Sequence, residues 1–482
     1  MKHKFILVAL LIVTFAIRCA HLAFPHFFIV NPDSHFFRIL SKQDNVPLYQ
    51  SGLSPLLHYT GDIGAILIPP FLAICTAILI YFLATKMFNK NVGLLSVAVF
   101  SVFQPAAIIG AAGNIDRNCL SLFLVTLALV VYFYSKTWRG AVGIAICCAL
   151  LVWEWRWIGA AVTLGIIAST AVVEYWQTRR IARPQVLWIL GGLVAMVAPF
   201  YLQNLYGDLA LVLNNDEFLI SEMRPTNIIM LWPLWVILPF PLAASLKFLY
   251  DRRGAQEHAV EYETVKNTAF LWAWIGGCIV LGLIAYRLAE FLIPAACIAA
   301  GAGFYWLLKD RVMAVDKKRA VLIFSVAMLC ISATFSVQLP EAAIMPNTWV
   351  KACHWIKDNT PEDAKVMSWW DNGYWLTDLA EREVLIDGSH VRNTQVSHYI
   401  GMVYCTQNDQ YAAQVMHEYD ASYLVFSTRE LNYFKTIEKY SGQKGDNGLY
   451  ERSRNEAFES EYFSVVYRTE DVWILEMCPS CD

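Results

Sequence analysis

Charge is what this chain has least of. Of its 482 residues, 16% are charged and 57% hydrophobic, against about 25% and roughly 45–50% in ordinary soluble domains. That excludes a purely soluble globular protein. The net charge of −3 is too near neutral for the basic footprint that nucleic acid requires. Internal repeats and low-complexity stretches are absent as well. Long apolar runs are themselves missing from one region: they recur from residue 1 to about 340 and stop near Pro340, where charge rises. This predicts a membrane domain at 1–340 and a water-soluble domain at 341–482, large enough for one compact core.

Apolar runs near the roughly 20 residues that span a bilayer fall at 5–22, 63–86, 92–110, 118–135, 140–153, 157–175, 186–203, 228–248, 268–285, 289–307 and 320–336. The basic segments "MKHK", "KMFNK", "SKTWRG", "QTRRIARP", "KFLYDRRGAQEH" and "KDRVMAVDKKRA" all share one side if the N-terminus is cytoplasmic. About eleven spans then put the soluble domain outside the cytoplasm, on a plasma (inner) membrane. The first run reads as an anchor, though its short apolar core also fits a cleaved signal sequence.

Of twelve cysteines, four lie in the soluble region: Cys353, Cys405, Cys478 and Cys481. The C-terminal "CPSC" fits a disulfide, two free thiols, or a metal or redox pair, and one CxxC does not decide among them. Three outward loops carry acids: Asp33 in "NPDSH", Asp116 (with Asn118) in "GNIDRN", and Asp216, Glu217 and Glu222 in "NNDEFLISEMRP". Each alone fits a helix cap or a solvated loop residue. Together they are the oxygen donors that a hard cation such as Mn²⁺ or Mg²⁺ takes.

The soluble region alternates helical and strand periods, which predicts an α/β layer fold. "AKVMSWW", "EVLID" and "ASYLVFS" read as strands, and "YFSVVYR" and "VWILEM" as a terminal hairpin turned at "TED". Trp369, Trp370 and Asp371 then fall just past the carboxyl end of a strand, where such sheets bind ligands, and Gly373 allows a tight turn. An ionised Asp accepts and an indole donates, so the three suit a hydroxyl. The plain alternative is that both tryptophans seal the domain against the membrane interface.

"WWDNGYW" resembles the WWDYG signature of the oligosaccharyltransferase catalytic subunit, and "VLIDGSH" is similar to the segment that follows it in bacterial members. "SEMRP" resembles the family's SEHQP-type motif, "GNIDRN" its DxD/DxE motif, and "YRLAEFLIPAACI" a span that begins with an arginine; Asp33 matches the acid of its first external loop. The resemblance implies a glycosyltransferase C fold of about 11–13 transmembrane helices followed by an external α/β domain. It implies a single-subunit enzyme that moves an oligosaccharide from a polyprenyl-diphosphate carrier to Asn in Asn-x-Ser/Thr sequences of acceptor proteins. By the same resemblance, Asp33, Asp116 and Glu222 are catalytic and, with Asn118, hold Mn²⁺ or Mg²⁺. Trp369, Trp370 and Asp371 bind the acceptor hydroxyl, and Arg287, Tyr374 and His390 face the donor.

The chain departs from the pattern at several places. Asn372 stands at the signature tyrosine, and Asn118 at a second acid. "LWPLW" occupies the place of an arginine that bacterial relatives use to read an acid before the acceptor Asn. A second soluble-domain motif falls in "ELNYFKTIEKY", at Lys435 or Ile437. Three other functions fit parts of the pattern: another polyprenyl-linked-sugar transferase of the same fold, a transporter, and a non-catalytic membrane scaffold.

Overall fold

The computed structural model describes residues 2–23, 32–42, 53–135, 137–155, 267–268, 270–279, 290–309, 345–388 and 394–478, with a few isolated positions besides. The chain forms two compact units. One is Met1–Phe24 with Pro47–Leu339; the other is Pro25–Val46 with Pro340–Asp482.

The first unit is helical: α1 (Lys2–Cys19), then, after α2 (Pro32–Ser41) of the other unit, α3 (Leu53–Met87), α4 (Lys90–Val102), α5 (Gln104–Ile109), α6 (Arg117–Tyr134), α7 (Trp138–Trp155) and α8 (Ile293–Lys309). Among the described residues, four helical stretches are long and apolar enough to cross a membrane: Lys2–Ala23, Leu56–Met87, Arg117–Tyr134 and Glu290–Lys309. They turn large apolar side chains outward, such as Phe5, Ile63 and Phe71, as lipid-facing helices do. This is a multi-pass membrane protein. The expected spans 157–175, 186–203 and 228–248 lie outside the described residues.

The run expected as one span at 92–110 is two helices. Pro105 has no N–H, so the carbonyl of Ser101 loses its helical partner and the helix breaks at Phe103. Arg18 of α1 covers the break. Its Nη1 donates to the carbonyls of Thr14 (3.1 Å) and Ser101 (3.2 Å), and its Nη2 to those of Phe100 and Ala106, both at 3.3 Å. A buried guanidinium thus supplies the donors that the proline removed. Close packing of α8 on α4 depends on a small residue. A Cβ at Gly301 would come 2.6 Å from the backbone nitrogen of Ser96.

The second unit contains α9 (Asn347–Asn359), β1 (Lys365–Met367), α10 (Gly373–Asp378), β2 (Glu383–Val384), α11 (Thr394–Cys405), α12 (Asp409–Glu418), β3 (Tyr423–Ser427), α13 (Phe434–Ser441), α14 (Leu449–Ser453), β4 (Phe463–Arg468) and β5 (Val472–Met477). The strands form one sheet in the order β2-β1-β3-β5-β4. β2, β1 and β3 are parallel, and β5 and β4 form the antiparallel terminal hairpin. Each strand and helix expected in this region is present, though the first two strands are shorter than their apolar runs. The core packs Trp349, Ile356, Trp375 and Leu376 against Val366, Val425 and Ile474. Cys353 and Cys405 are buried free thiols. The Cys478–Cys481 pairing lies outside the described residues, because Cys481 does.

Helix α2 joins this unit through charge. The side chain of Asp378, at the end of α10, is fully buried. It accepts from His35 Nδ1 at 2.7 Å, Arg38 Nη1 at 2.8 Å and Lys42 Nζ at 2.7 Å. Burial pushes its pKa up, but these three partners outweigh it and hold Asp378 well below the usual carboxylate range. Burial likewise lowers His35, which meets Asp378 as a neutral N–H donor. Alongside, Phe36 packs on Tyr374 with ring centres 5.2 Å apart.

Candidate functional site

β1 and β3 are parallel neighbours, with Val366 opposite Tyr423 and Met367 opposite Leu424. Their carboxyl ends therefore lie side by side, and the segments that follow them share one edge of the sheet. Ser368–Asn372 follows β1. After β3 comes a turn of 3₁₀ helix, Thr428–Tyr433, opened by a capping box between Ser427 and Glu430.

Two adjacent bonds link the segments like rungs. Asp371 Oδ2 accepts from Arg429 Nη2 at 3.1 Å, with both side chains about one-fifth exposed. Asn372 Nδ2 donates to Glu430 Oε1 at 2.8 Å, and also to Ser368 Oγ at 3.2 Å. The second oxygen of Glu430 accepts from the backbone N–H of Ser427 at 2.9 Å and from its hydroxyl. Burial raises the Glu430 carboxyl to about 7, against the downward pull of Ser427, Asn372 and Arg429. The guanidinium of Arg429 lies 4.4 Å over the Trp375 ring.

The three motif residues are not equivalent. Trp369 is buried in the core of its own unit. Its N–H donates to Tyr404 Oη at 3.0 Å, and its ring packs on Tyr404 and Tyr440. Packing inside its own unit takes Trp369 out of the role of an interfacial seal. Trp370 and Asp371 keep partial exposure, and Trp370 Nε1 has no partner among the described residues. Asn372 is fully buried, so the departure from the signature tyrosine has a local reason. The carboxamide is the donor that Glu430 requires, and a phenol ring would displace it.

Gly373 does not make the tight turn expected of it. Its φ of −57° is helical. The glycine is needed because the chain passes over it, and a Cβ there would meet the carbonyl oxygen of Ile386 at 2.5 Å. Tyr374 is buried between Phe36 and Gly388. In the second motif candidate, Ile437 is buried on α13 and Lys435 is exposed. Tyr440 of that helix packs on Trp369.

In the membrane unit, Asp116 caps α6, its Oδ1 accepting from the backbone N–H of Arg117 at 2.6 Å. Asn118 Nδ2 donates to Asp116 Oδ2 at 2.8 Å and to Glu290 Oε1 at 3.1 Å, while Asn118 Oδ1 is buried without a partner among the described residues. Asp33 falls in the first turn of α2, inside the helix and not before it. The Asp33 side chain, Glu222, Arg287 and His390 lie outside the described residues. Among those described, no three His, Cys, Asp or Glu side chains group closely enough to hold a metal ion. Sequence reasoning passed over Arg429, Glu430, Glu290 and Asp378. Only Glu430 left a local trace, the Ser-x-x-Glu spacing of a capping box.

Residues 362–475, which contain both rungs, match the family model described as the STT3/PglB/AglB core domain. The likeness to that family lies in this segment of the soluble unit. A relative from Methanocaldococcus jannaschii, a dolichyl-phosphooligosaccharide-protein glycotransferase, is 28% identical over 155 residues, which is 28% of this chain and 16% of that protein. The match to this curated family member thus spans a small part of its length. Among solved structures, the chain is similar to the AglB oligosaccharyltransferase of Archaeoglobus fulgidus in complex with an inhibitory peptide and a dolichol-phosphate. The TM-score is 0.69 at 14% identity, covering 94% of this chain and 72% of that one; the A. fulgidus enzyme has also been solved with Zn and sulfate. ArnT from Cupriavidus metallidurans bound to undecaprenyl phosphate gives a TM-score of 0.60 at 12% identity, covering 98% of each chain. These likenesses establish the glycosyltransferase C fold. At the strand-end edge, the family-model match and the geometry of the soluble unit coincide.

Proposed function

We propose that this protein is an oligosaccharyltransferase that moves a glycan from a polyprenyl-diphosphate carrier to the Asn of Asn-x-Ser/Thr acceptor sequences, working as a single subunit with its soluble domain outside the cytoplasm. The observation that carries this reading is the partly exposed Trp370–Asp371 pair at the strand-end edge, inside the segment that matches the family core. Asp371 accepts the hydrogen of the acceptor's Ser or Thr hydroxyl, and Trp370 lines the site beside it. Trp369 supports both from the core.

A carboxamide nitrogen is a poor nucleophile because its lone pair is delocalised. Carboxylates of Asp33 and Glu222 that accept its N–H bonds turn the lone pair out of conjugation. The nitrogen then bonds to the first sugar carbon as the bond from that carbon to the diphosphate oxygen breaks, and the amide proton passes to a carboxylate. Arg287, with Tyr374 and His390, faces the leaving diphosphate, which a guanidinium suits as a permanent planar donor. Asp33, Asp116, Asn118 and Glu222 would hold the divalent cation, Mn²⁺ or Mg²⁺. The unpartnered Oδ1 of Asn118 beside the Asp116 carboxylate is the hard-oxygen chemistry such an ion takes. When bound, the ion supplies charge that keeps the acids ionised and offsets the departing diphosphate.

A second reading is another polyprenyl-linked-sugar transferase of the same fold, with an acceptor other than protein; the fold likeness extends to ArnT, which was solved bound to undecaprenyl phosphate. Incubation with extracted lipid-linked glycans and a tagged Asn-x-Thr peptide separates the two. Glycopeptide that forms with Mn²⁺, disappears with chelator and returns on re-addition supports the first reading. Full activity in chelator removes the metal from it, and modified lipid with no glycopeptide supports the second.

A further inference from the structure

Arg429 is the one cation that the described structure places on Asp371, and three constraints fix it there. Its guanidinium donates to Asp371 Oδ2 at 3.1 Å. The same guanidinium lies over the indole of Trp375, its Cζ 4.4 Å from the ring centre, and Trp375 is a buried core residue. Its backbone is held one position away, where Glu430 is tied to Ser427 within its own turn and to Asn372 across the edge. Asp371 in turn is the immediate neighbour of Asn372. Each member of the ion pair is therefore anchored by a bonded residue beside it.

We propose that Arg429 is a positioning residue that sets hydroxyl selectivity: by occupying Asp371 Oδ2 it fixes the carboxylate in direction, leaving Oδ1 as the acceptor for the incoming hydroxyl. This rests on the reading of Asp371 as the hydroxyl's partner. Without Arg429 the carboxylate turns freely about its side-chain bonds, and the ordering must be supplied when the acceptor binds. Lysine keeps the charge but lacks the planar fork that reaches Asp371 while lying over Trp375, so it restores the function only in part.

The test uses the full chain in detergent and two labelled peptides, with Thr or Ala two places after Asn. The quantity read is the ratio of their affinities, together with binding of extracted lipid-linked glycan. A hydrogen bond to a charged group corresponds to a wild-type ratio on the order of 10- to 150-fold. Asp371→Asn should bring it near one. Arg429→Gln should lower it about five-fold or more, with donor binding unchanged, and Arg429→Lys should fall between. Arg429→Gln added to Asp371→Asn should lower the ratio no further, since the two act as one unit. A ratio that collapses in Asp371→Asn but stays at the wild-type value in Arg429→Gln overturns the role of Arg429. A ratio unchanged in Asp371→Asn overturns the hydroxyl reading beneath it, and the role of Arg429 with it. If Arg429→Gln does not fold, Arg429→Lys decides: a wild-type ratio in that variant overturns the proposal.

Discussion

Two carboxylates are buried side-chain-deep in the soluble unit, Asp378 beneath α2 and Glu430 beneath the strand-end edge, and their environments push them in opposite directions. Asp378 meets Arg38, Lys42 and a neutral His35, and is held low. Glu430 meets a hydroxyl, a backbone N–H and a carboxamide, with Arg429 nearby but bonded to Asp371, and is raised to about 7. Burial is nearly the same, so partner charge decides. Neutral donors satisfy the oxygens without repaying the cost of taking a charge out of water. One acid therefore acts as a fixed anion fastening a helix. The other is a brace whose carboxyl is raised toward neutrality, and among the described residues the ion pair at this edge is that of Asp371 with Arg429.

The largest effect should come from breaking the anion. Asp378→Ala leaves Arg38 and Lys42 facing a void, and breaking a buried pair costs about 3–5 kcal/mol. Thermal or denaturant unfolding of the full chain should show the loss. A cost under about 1 kcal/mol would mean the cluster behaves as a surface pair. Because its folded pKa is depressed, the contribution of Asp378 is fully present above its unfolded value and is lost as pH falls through the folded one. Its contribution should therefore be present in full, and should not vary with pH, from neutral to mildly acid conditions.

Glu430 should show the opposite sign. Its folded pKa lies above its unfolded value, so the folded state binds the extra proton in between. The stability it supports is greatest below about pH 4.5 and declines as pH rises through about 7. Glu430→Gln should remove that decline, making the variant more stable relative to wild type at pH 8 than at pH 5 by about 1–3 kcal/mol. Unfolding at the two pH values checks this, and a parallel shift in both proteins would show that Glu430 stays ionised throughout.

The smallest effect is a control on burial itself. Lys357 Nζ pairs with Glu381 at 2.6 Å, but these side chains are 40% and 55% exposed. Lys357→Ala should change stability by no more than about 1 kcal/mol, measured in the same melts. A cost near that of Asp378→Ala would mean that pairing alone, without burial, sets the size of these effects.

Much of this was legible in the sequence because period and order are local. The alternation after Pro340 gave the sheet its strands, and the position of "SWWD" after "AKVM" put the motif at a strand end. The break in the 92–110 run was readable too, since Pro105 removes a specific donor, yet its cover by Arg18 was not. What stayed hidden are pairings between residues far apart in the chain. Nothing near Asp378 announces two partners on α2 and a third, Lys42, just after it, and nothing near Asp371 announces Arg429. Gly373 shows a subtler limit: the residue was singled out correctly, but the reason was the Ile386–Asp387 segment crossing over it and not a turn.

The central claim is that Asp371 accepts the acceptor's hydroxyl. The most direct measurement is peptide affinity by fluorescence anisotropy for wild type and Asp371→Ala, each with Thr or Ala two places after Asn. Each single change should weaken binding by roughly 10- to 150-fold, and the double combination should be little weaker than either one alone, the signature of two groups in direct contact. If the two losses simply add, Asp371 does not touch the hydroxyl, and the strand-end edge is not the acceptor site.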